Sequence, residues 1–146
     1  MTSLTGGDVA EAIGLLIQRS TRTGLYAALV ADIAEGLDEN AYPVLSGLAR
    51  TGPCNAADLA AVVGIDRSGV SRHASRLEAA GLLRRQPDPA DRRAVLLVLT
   101  EAGVAAVAEM RRRFAERIEA CLATWPPGEA EAFARGLRRF VEEGPF

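Results

Sequence analysis

Apolar residues recur along this chain with two different periods, and the order of those periods predicts its architecture. Val9, Ile13, Leu16, Ile17, Ala27 and Val30 fall at helical spacing. Asp8 is placed to cap that segment and Gly36 to stop it, so a helix is expected over 8–35, softened at Gly24. A second, shorter helix runs to Arg50 behind Asp38 or Asn40, with Pro43 in its first turns, where a missing N–H costs least. Thr51-Gly52-Pro53 is a turn. Asn55 caps the next helix, Asn55 to Val63, which offers Leu59, Val62 and Val63 for packing and ends at Gly64. Asp66 caps another helix, Arg67 to Ala80, which Gly81 closes. Two short helices around a tight Gly-containing turn form a helix-turn-helix.

After Gly81 the period changes. Leu82–Gln86 and Ala94–Leu99 read as strands on either side of the turn-rich Pro87-Asp88-Pro89-Ala90-Asp91. A hairpin in that place is a wing. Thr100 caps a long helix to about Thr124, with an apolar stripe of Val104, Val107, Phe114, Ile118, Cys121, Leu122 and Trp125. Pro126-Pro127-Gly128 breaks the chain, and a last helix, about 129–142, carries Phe133, Leu137, Phe140 and Val141. The fold class expected is mainly α with a small β-hairpin wing. A length of 146 residues suits one domain, 1–146, with a winged helix-turn-helix lobe at about 38–99. The flanking helices, 8–35 and 100–142, carry more apolar surface than a small winged helix needs, which predicts an obligate dimer interface.

Composition narrows the class further. Hydrophobic residues are 49% and aromatics 5%, so the core must be mostly aliphatic. No apolar run approaches the roughly 20 residues of a membrane span, and Met1 to Asp8 has no basic residue, so a cytoplasmic protein is expected. No phosphate-binding loop, dinucleotide fingerprint, zinc-protease motif or nucleophile motif is present, and the single His73 argues against a histidine-based metal site or triad. An enzyme, a metal and a cofactor are not expected. Cys54 and Cys121 are far apart and form no CxxC pair. Cys54 follows a turn and is the candidate for oxidant sensing, whereas Cys121 falls on the apolar stripe and is expected in the core.

Charge changes the picture most. The net charge is −2, yet Arg67 to Arg93 holds seven Arg against three acids, a local +4; the remainder holds ten Arg against sixteen acids, or −6. This is the footprint of a phosphate-binding surface. Within the helix from Arg67, Val70, Ala74 and Leu77 share one face, and that face can pack on Leu59 and Val62. Ser68, Ser71, Arg72 and Ser75 share the other, flanked by Arg67 and Arg76. Small hydroxyls let a helix sit deep in a major groove, and Arg can bond guanine bidentately. The same residues would suit a plain solvated face; their place between a Gly turn and a basic hairpin favours DNA. At the hairpin, Arg84 and Arg85 lie on the outgoing strand and Asp91-Arg92-Arg93 at the tip. An Arg on such a tip can enter a narrow minor groove. Asp91 is expected to pair with a nearby Arg and orient it.

These residues carry a resemblance. Asp66-Arg67-Ser68-Gly69-Val70-Ser71-Arg72, then Arg76 to Arg85, then Pro87 to Arg93 with its D-x-R tip, and Leu99-Thr100-Glu101-Ala102-Gly103 with its L-T-x-x-G, resemble the MarR (multiple antibiotic resistance regulator) family. The order and spacing of helices match across nearly the whole chain. The resemblance implies a homodimer with intertwined terminal helices, bound to double-stranded DNA at a pseudo-palindromic operator, usually as a repressor. It matches Asp91 and Arg93 to the family's Asp and minor-groove Arg, and Ser68, Ser71 and Arg72 to groove-facing positions. It also implies either a small effector, often an aromatic acid, or cysteine oxidation as the release signal. His73 departs from the family pattern, which often has an aliphatic residue there. The alternative is a winged-helix protein-interaction module without DNA binding, and the basic 67–93 stretch argues against it.

Overall fold

The computed structural model describes residues 6–146, so the expectations for the first five residues lie outside it. Seven helices and one hairpin follow in the order α1 (Gly6–Ile17), α2 (Arg19–Val30), α3 (Ala41–Thr51), α4 (Ala56–Val63), α5 (Arg67–Ala79), β1 (Leu83–Pro87), β2 (Val95–Leu99), α6 (Glu101–Leu122) and α7 (Glu129–Glu143). The chain divides into two units, one through Arg111 and one from Arg112 to Phe146.

The single helix expected over 8–35 is two helices, and the break is at Gln18 rather than Gly24. Gln18 is extended (ψ 140°) and caps α2 through its carbonyl, which accepts from Arg22 N–H at 3.1 Å. Ser20, Thr21 and Thr23 follow the break; such hydroxyl and β-branched side chains favour caps and turns over helix interiors. The helix also ends five residues early, at Val30, because Asp32 takes a left-handed conformation (φ 59°).

The first unit is built around aliphatic side chains. Leu29, Val44, Leu45, Leu48, Leu59, Val70, Leu77, Leu83 and Met110 are all but inaccessible to solvent. Burying one such side chain contributes about 1.5–3 kcal/mol relative to exposure. Tyr26 of α2 stacks on Tyr42 of α3, with ring centroids 4.6 Å apart. Val62 is not part of this core: it is 59% exposed, and α4 presents Leu59 inward instead. With eight residues, α4 buries a stripe too narrow to include both.

Turn chemistry sets the helix-turn-helix. The Asn55 side chain accepts from Asp58 N–H (2.8 Å), and Asp66 does the same for α5 from Gly69 N–H (3.3 Å). At the end of α5, Leu82 N–H reaches Leu77 carbonyl (2.9 Å) and Gly81 N–H reaches Glu78 carbonyl (3.0 Å). That is a Schellman ending, and Gly81 at φ 77° supplies its left-handed residue. The turn delivers the chain straight into β1.

Strands β1 and β2 pair antiparallel with Leu83 opposite Leu99 and Pro87 opposite Val95. An isolated bridge, not foreseen, adds to the two-stranded wing: Cys54 and Leu97 exchange main-chain bonds of 3.4 and 2.8 Å. Thr100 then locks the start of α6. Its hydroxyl donates to Gly81 carbonyl (2.6 Å) and accepts from Gly103 N–H (3.0 Å), while its own N–H donates to Leu82 carbonyl (3.1 Å). Gly103 permits this approach, since a Cβ there would lie 1.9 Å from Leu82 carbonyl oxygen.

In the second unit Trp125 meets Phe133 edge-on at 5.1 Å, and Phe140 meets Phe146 at 5.6 Å. No residue of α7 is buried, and Phe133, Leu137 and Val141 stay exposed. Cys121, expected in the core, is exposed too. Of the stripe expected on α6 only Val107 is buried, beside Gly103, Ala106 and Met110; Val104 and Ile118 remain open to solvent. Periodicity marks an apolar face but not what covers it. Likewise α1 buries no residue, and Leu15, Leu16 and Ile17 are exposed. No helix among the described residues is long and apolar enough to cross a membrane.

Candidate nucleic-acid interface

The exposed face of α5 is as its periodicity implies. Gly69, Val70, Ala74 and Leu77 are buried, and Arg67, Ser68, Ser71, Arg72, Ser75 and Arg76 are exposed. Arg67, Ser68, Ser71, Arg72 and Ser75 together line a shallow concavity of about 600 Å³. A second groove, about 440 Å³, lies between the start of α4, α5 and the hairpin, where Arg67, Ser71, Arg85, Asp91 and Arg93 converge around Asn55. Helix face and hairpin tip, separated in the chain by the turn at Gly81 and strand β1, therefore border one surface.

At the N-terminus of α5 the Asp66 carboxylate takes the Ser68 hydroxyl as well as the Gly69 N–H. These two hydrogen bonds, the Ser68 one foremost, hold its pKa below the usual carboxylate value. Asp66 thus stays ionised at any physiological pH. Ser68 is partly committed to this cap, and the charge of Arg72 adds a smaller stabilisation of the Asp66 carboxylate, while Ser71 and Arg72 both remain exposed along the same face.

Two of the seven arginines are paired within the protein. Arg76 Nη1 lies 3.1 Å from Asp38 in the α2–α3 turn, at the edge of the face. Arg85 Nη1 lies 3.0 Å from Glu78. Arg84, on the opposite side of β1, bonds the neutral Gln86. Arg67, Arg72, Arg92 and Arg93 are exposed and make no close ion pair among the described residues, although the charge of Arg72 helps to lower the Asp66 pKa. Guanidinium groups of Arg67, Arg72 and Arg93 that are not tied up in close ion pairs border one surface, as a polyanionic ligand requires.

The tip departs from expectation in one respect. Asp91 does not pair with an Arg side chain; its carboxylate accepts the main-chain N–H of Arg93 at 3.0 Å. A side chain this short reaches its own backbone two residues on more readily than a flexible guanidinium. Asp88 repeats the arrangement with Ala90 N–H at 2.8 Å, and Asp91 carbonyl accepts Ala94 N–H at 3.0 Å. The tip is thus a pair of Asx turns that aims the backbone at Arg93. His73 is half-buried beside Gly36, Asp38 and Leu77, in a packing position. Cys54 is half-buried in the bridge to Leu97, with its sulfur 3.4 Å from Thr51 Oγ1.

Glu78, Asp38, the pairing of Arg85 with Glu78 and the bridge at Cys54 were not foreseen for the site. Each owes its role to a contact across a turn or between distant segments, for which no local period is a signal.

Residues 35–94, which include α3 to β1 and the hairpin tip, match the model of the MarR family. Over 128 residues the chain is 32% identical to the uncharacterized HTH-type transcriptional regulator YxaD of Bacillus subtilis (strain 168), covering 85% of this chain and 90% of that protein. It is 28% identical over 137 residues to the HTH-type transcriptional repressor NicR of Pseudomonas putida, covering 92% of this chain and 85% of NicR. Among solved structures, Bordetella bronchiseptica BpsR, whose DNA binding is regulated by 6-hydroxynicotinic acid, is 29% identical. Its TM-score is 0.63, with 91% of this chain and 98% of BpsR covered.

Proposed function

The chain belongs to the MarR family of winged helix-turn-helix transcriptional regulators, and on that premise we propose that it is a homodimeric repressor that binds a pseudo-palindromic operator. The observation that carries this reading is the placement of exposed arginines on one surface, Arg67 and Arg72 on α5 and Arg93 at the tip, where Arg92 is exposed too. In it, Ser68, Ser71 and Arg72 read the major groove, and Arg93 enters the flanking minor groove. Arg67 and Arg92 contact phosphate. Arg76 keeps a phosphate contact only by leaving Asp38, so its contribution is the smaller.

Dimerisation is supported by the exposed apolar residues of α1 and α7, which a monomer in water would leave uncovered. Repression is supported by the likeness to NicR. A small aromatic acid as effector is supported by the likeness to BpsR, and Cys54 remains the candidate if the signal is an oxidant instead.

The test is selection of duplexes from a random library by the purified protein, followed by affinity measurement at several salt concentrations. Two phosphate-contacting arginines per protomer, Arg67 and Arg92, and two protomers give a slope of log K against log salt of about −3.6 for the selected duplex. Binding that shows neither sequence selection nor salt dependence would favour a protein-interaction module.

A further inference from the structure

One side-chain cluster joins the hairpin to α5. The Arg85 side chain is only 28% exposed. Its Nη1 donates to Glu78 Oε1 (3.0 Å), and its main-chain N–H donates to Glu78 Oε2 (3.1 Å). Its Nη2 donates to Ser71 carbonyl (3.1 Å) and Ser75 Oγ (3.2 Å). The Ser75 hydroxyl in turn donates to the same Ser71 carbonyl (3.1 Å). Ser75 therefore turns its hydroxyl along the helix, with its hydrogen and one lone pair engaged.

The sheet explains why Glu78 is needed. Leu97 uses its N–H and its carbonyl on Cys54, so Arg85, opposite Leu97 in the register, points its N–H away from β2. Left alone, that N–H would be an unpaired edge donor. Glu78 sits three residues before Gly81, and the Schellman turn brings β1 back beside the last turn of α5, where the carboxylate covers that edge.

We propose that Glu78, Arg85 and Ser75 form a latch that fixes the hairpin against the recognition helix, so that Arg85 and Ser75 act as positioning residues for DNA discrimination and not as DNA contacts. The proposal rests on the DNA-binding reading. A selected duplex is bound tightly only if α5 and Arg93 reach their grooves together. With a loose hairpin the surface keeps its charge, but the two contacts no longer coincide. Affinity for unselected DNA, which depends on charge alone, is then untouched.

The full-length Glu78→Gln, Arg85→Gln and Arg85→Lys proteins test this in two ways. Without DNA, amide hydrogen exchange over residues 83–86 should quicken in Glu78→Gln and Arg85→Gln while α3 stays protected. Unchanged exchange would overturn the latch whatever the protein binds. With DNA, affinities are compared for a duplex that the wild type enriches from a random library and for an unselected one. Glu78→Gln removes a negative charge from a basic surface, so simple Coulombic attraction would tighten both. The latch gives the opposite sign for the selected duplex, about fivefold weaker, with no loss on the unselected one. Arg85→Gln should show the same selective loss with its salt slope unchanged; a drop in slope of about 0.9 per protomer would make Arg85 a phosphate contact and overturn the proposal. Arg85→Lys should recover part of the discrimination, because an ammonium still reaches Glu78. A wild type that enriches no duplex would refute the DNA-binding reading, and the exchange measurement would still decide the latch.

Discussion

Replacing Gly103 by Ala is a one-methyl change that should destabilise the DNA-binding unit, although Ala is the better helix former. The added Cβ would sit 1.9 Å from Leu82 carbonyl oxygen and 2.9 Å from its carbon. An ordinary C···O contact is about 3.3 Å, so α6 and the start of β1 must separate by about 1.4 Å. That separation breaks the Thr100 N–H bond to Leu82 carbonyl, now 3.1 Å, and strains the Thr100 hydroxyl bond to Gly81 carbonyl, now 2.6 Å. Overpacking of this kind costs about 1–3 kcal/mol, and the lost hydrogen bond adds about 1 kcal/mol. The helix preference of Ala over Gly returns about 0.5–1 kcal/mol. The net expectation is a loss of about 1–3.5 kcal/mol, read as a lower urea midpoint at unchanged slope. The control is Gly24→Ala in α2, where nothing lies within 4 Å of the new methyl and φ is not left-handed. There the same substitution should stabilise, by up to about 1 kcal/mol. A Gly103→Ala protein as stable as the wild type would refute the close approach.

The hairpin tip gives a second sign test. Asp91→Asn keeps an acceptor for Arg93 N–H and should bind the selected duplex at least as well as wild type, whereas Asp91→Ala frees the turn and should weaken binding by about 1 kcal/mol, as fluorescence anisotropy would show. If both variants bind more tightly, Asp91 acts only as a negative charge near phosphate. Arg72→Ala should lose about 1–3 kcal/mol on the selected duplex and relax preference at one position per half-site; equal losses on random DNA would reduce Arg72 to a phosphate contact. Asp66, with its pKa lowered by Ser68 and Gly69, should support α5 fully above the ordinary carboxylate pKa of 3.8 and progressively less as pH falls through its lowered value. Thermal melts from neutral to acid pH should show that loss in the wild type and not in Asp66→Asn, whose amide oxygen still accepts from Gly69. In sedimentation equilibrium the protein should be a dimer at micromolar concentration, and removing residues 129–146 should abolish it; a stable wild-type monomer would reject the dimer.

Which residues can be inside, and where the chain must turn, follow from local pattern alone. Val70, Ala74 and Leu77 had to share a face because helical geometry fixes 100° per residue, and that placed Ser71 and Arg72 opposite them. Asn55 and Asp66 could be read as caps, and Gly64 and Gly81 as stops, because each satisfies a need of the backbone within a few residues. Local physics failed where two local preferences competed: the Gln18 break and the left-handed Asp32 divided and shortened a segment whose apolar period runs on without interruption. It also could not choose the partner of Asp91, whose nearest available donor was the backbone and not a side chain.

Only the tertiary structure decided which charges remain available. Arg76 and Arg85 look like Arg72 and Arg93 in the sequence, but Asp38 lies 38 residues before Arg76, and Glu78 reaches Arg85 only because the chain reverses at Gly81. Whether a guanidinium faces phosphate or a neighbouring carboxylate is a property of which segments the core brings together. The same holds for Cys54, drawn into the wing by Leu97, and for Gly103, whose missing Cβ matters only because Leu82 carbonyl lies where that atom would be. Such contacts carry no period, since they join residues whose separation along the chain is set by the intervening fold.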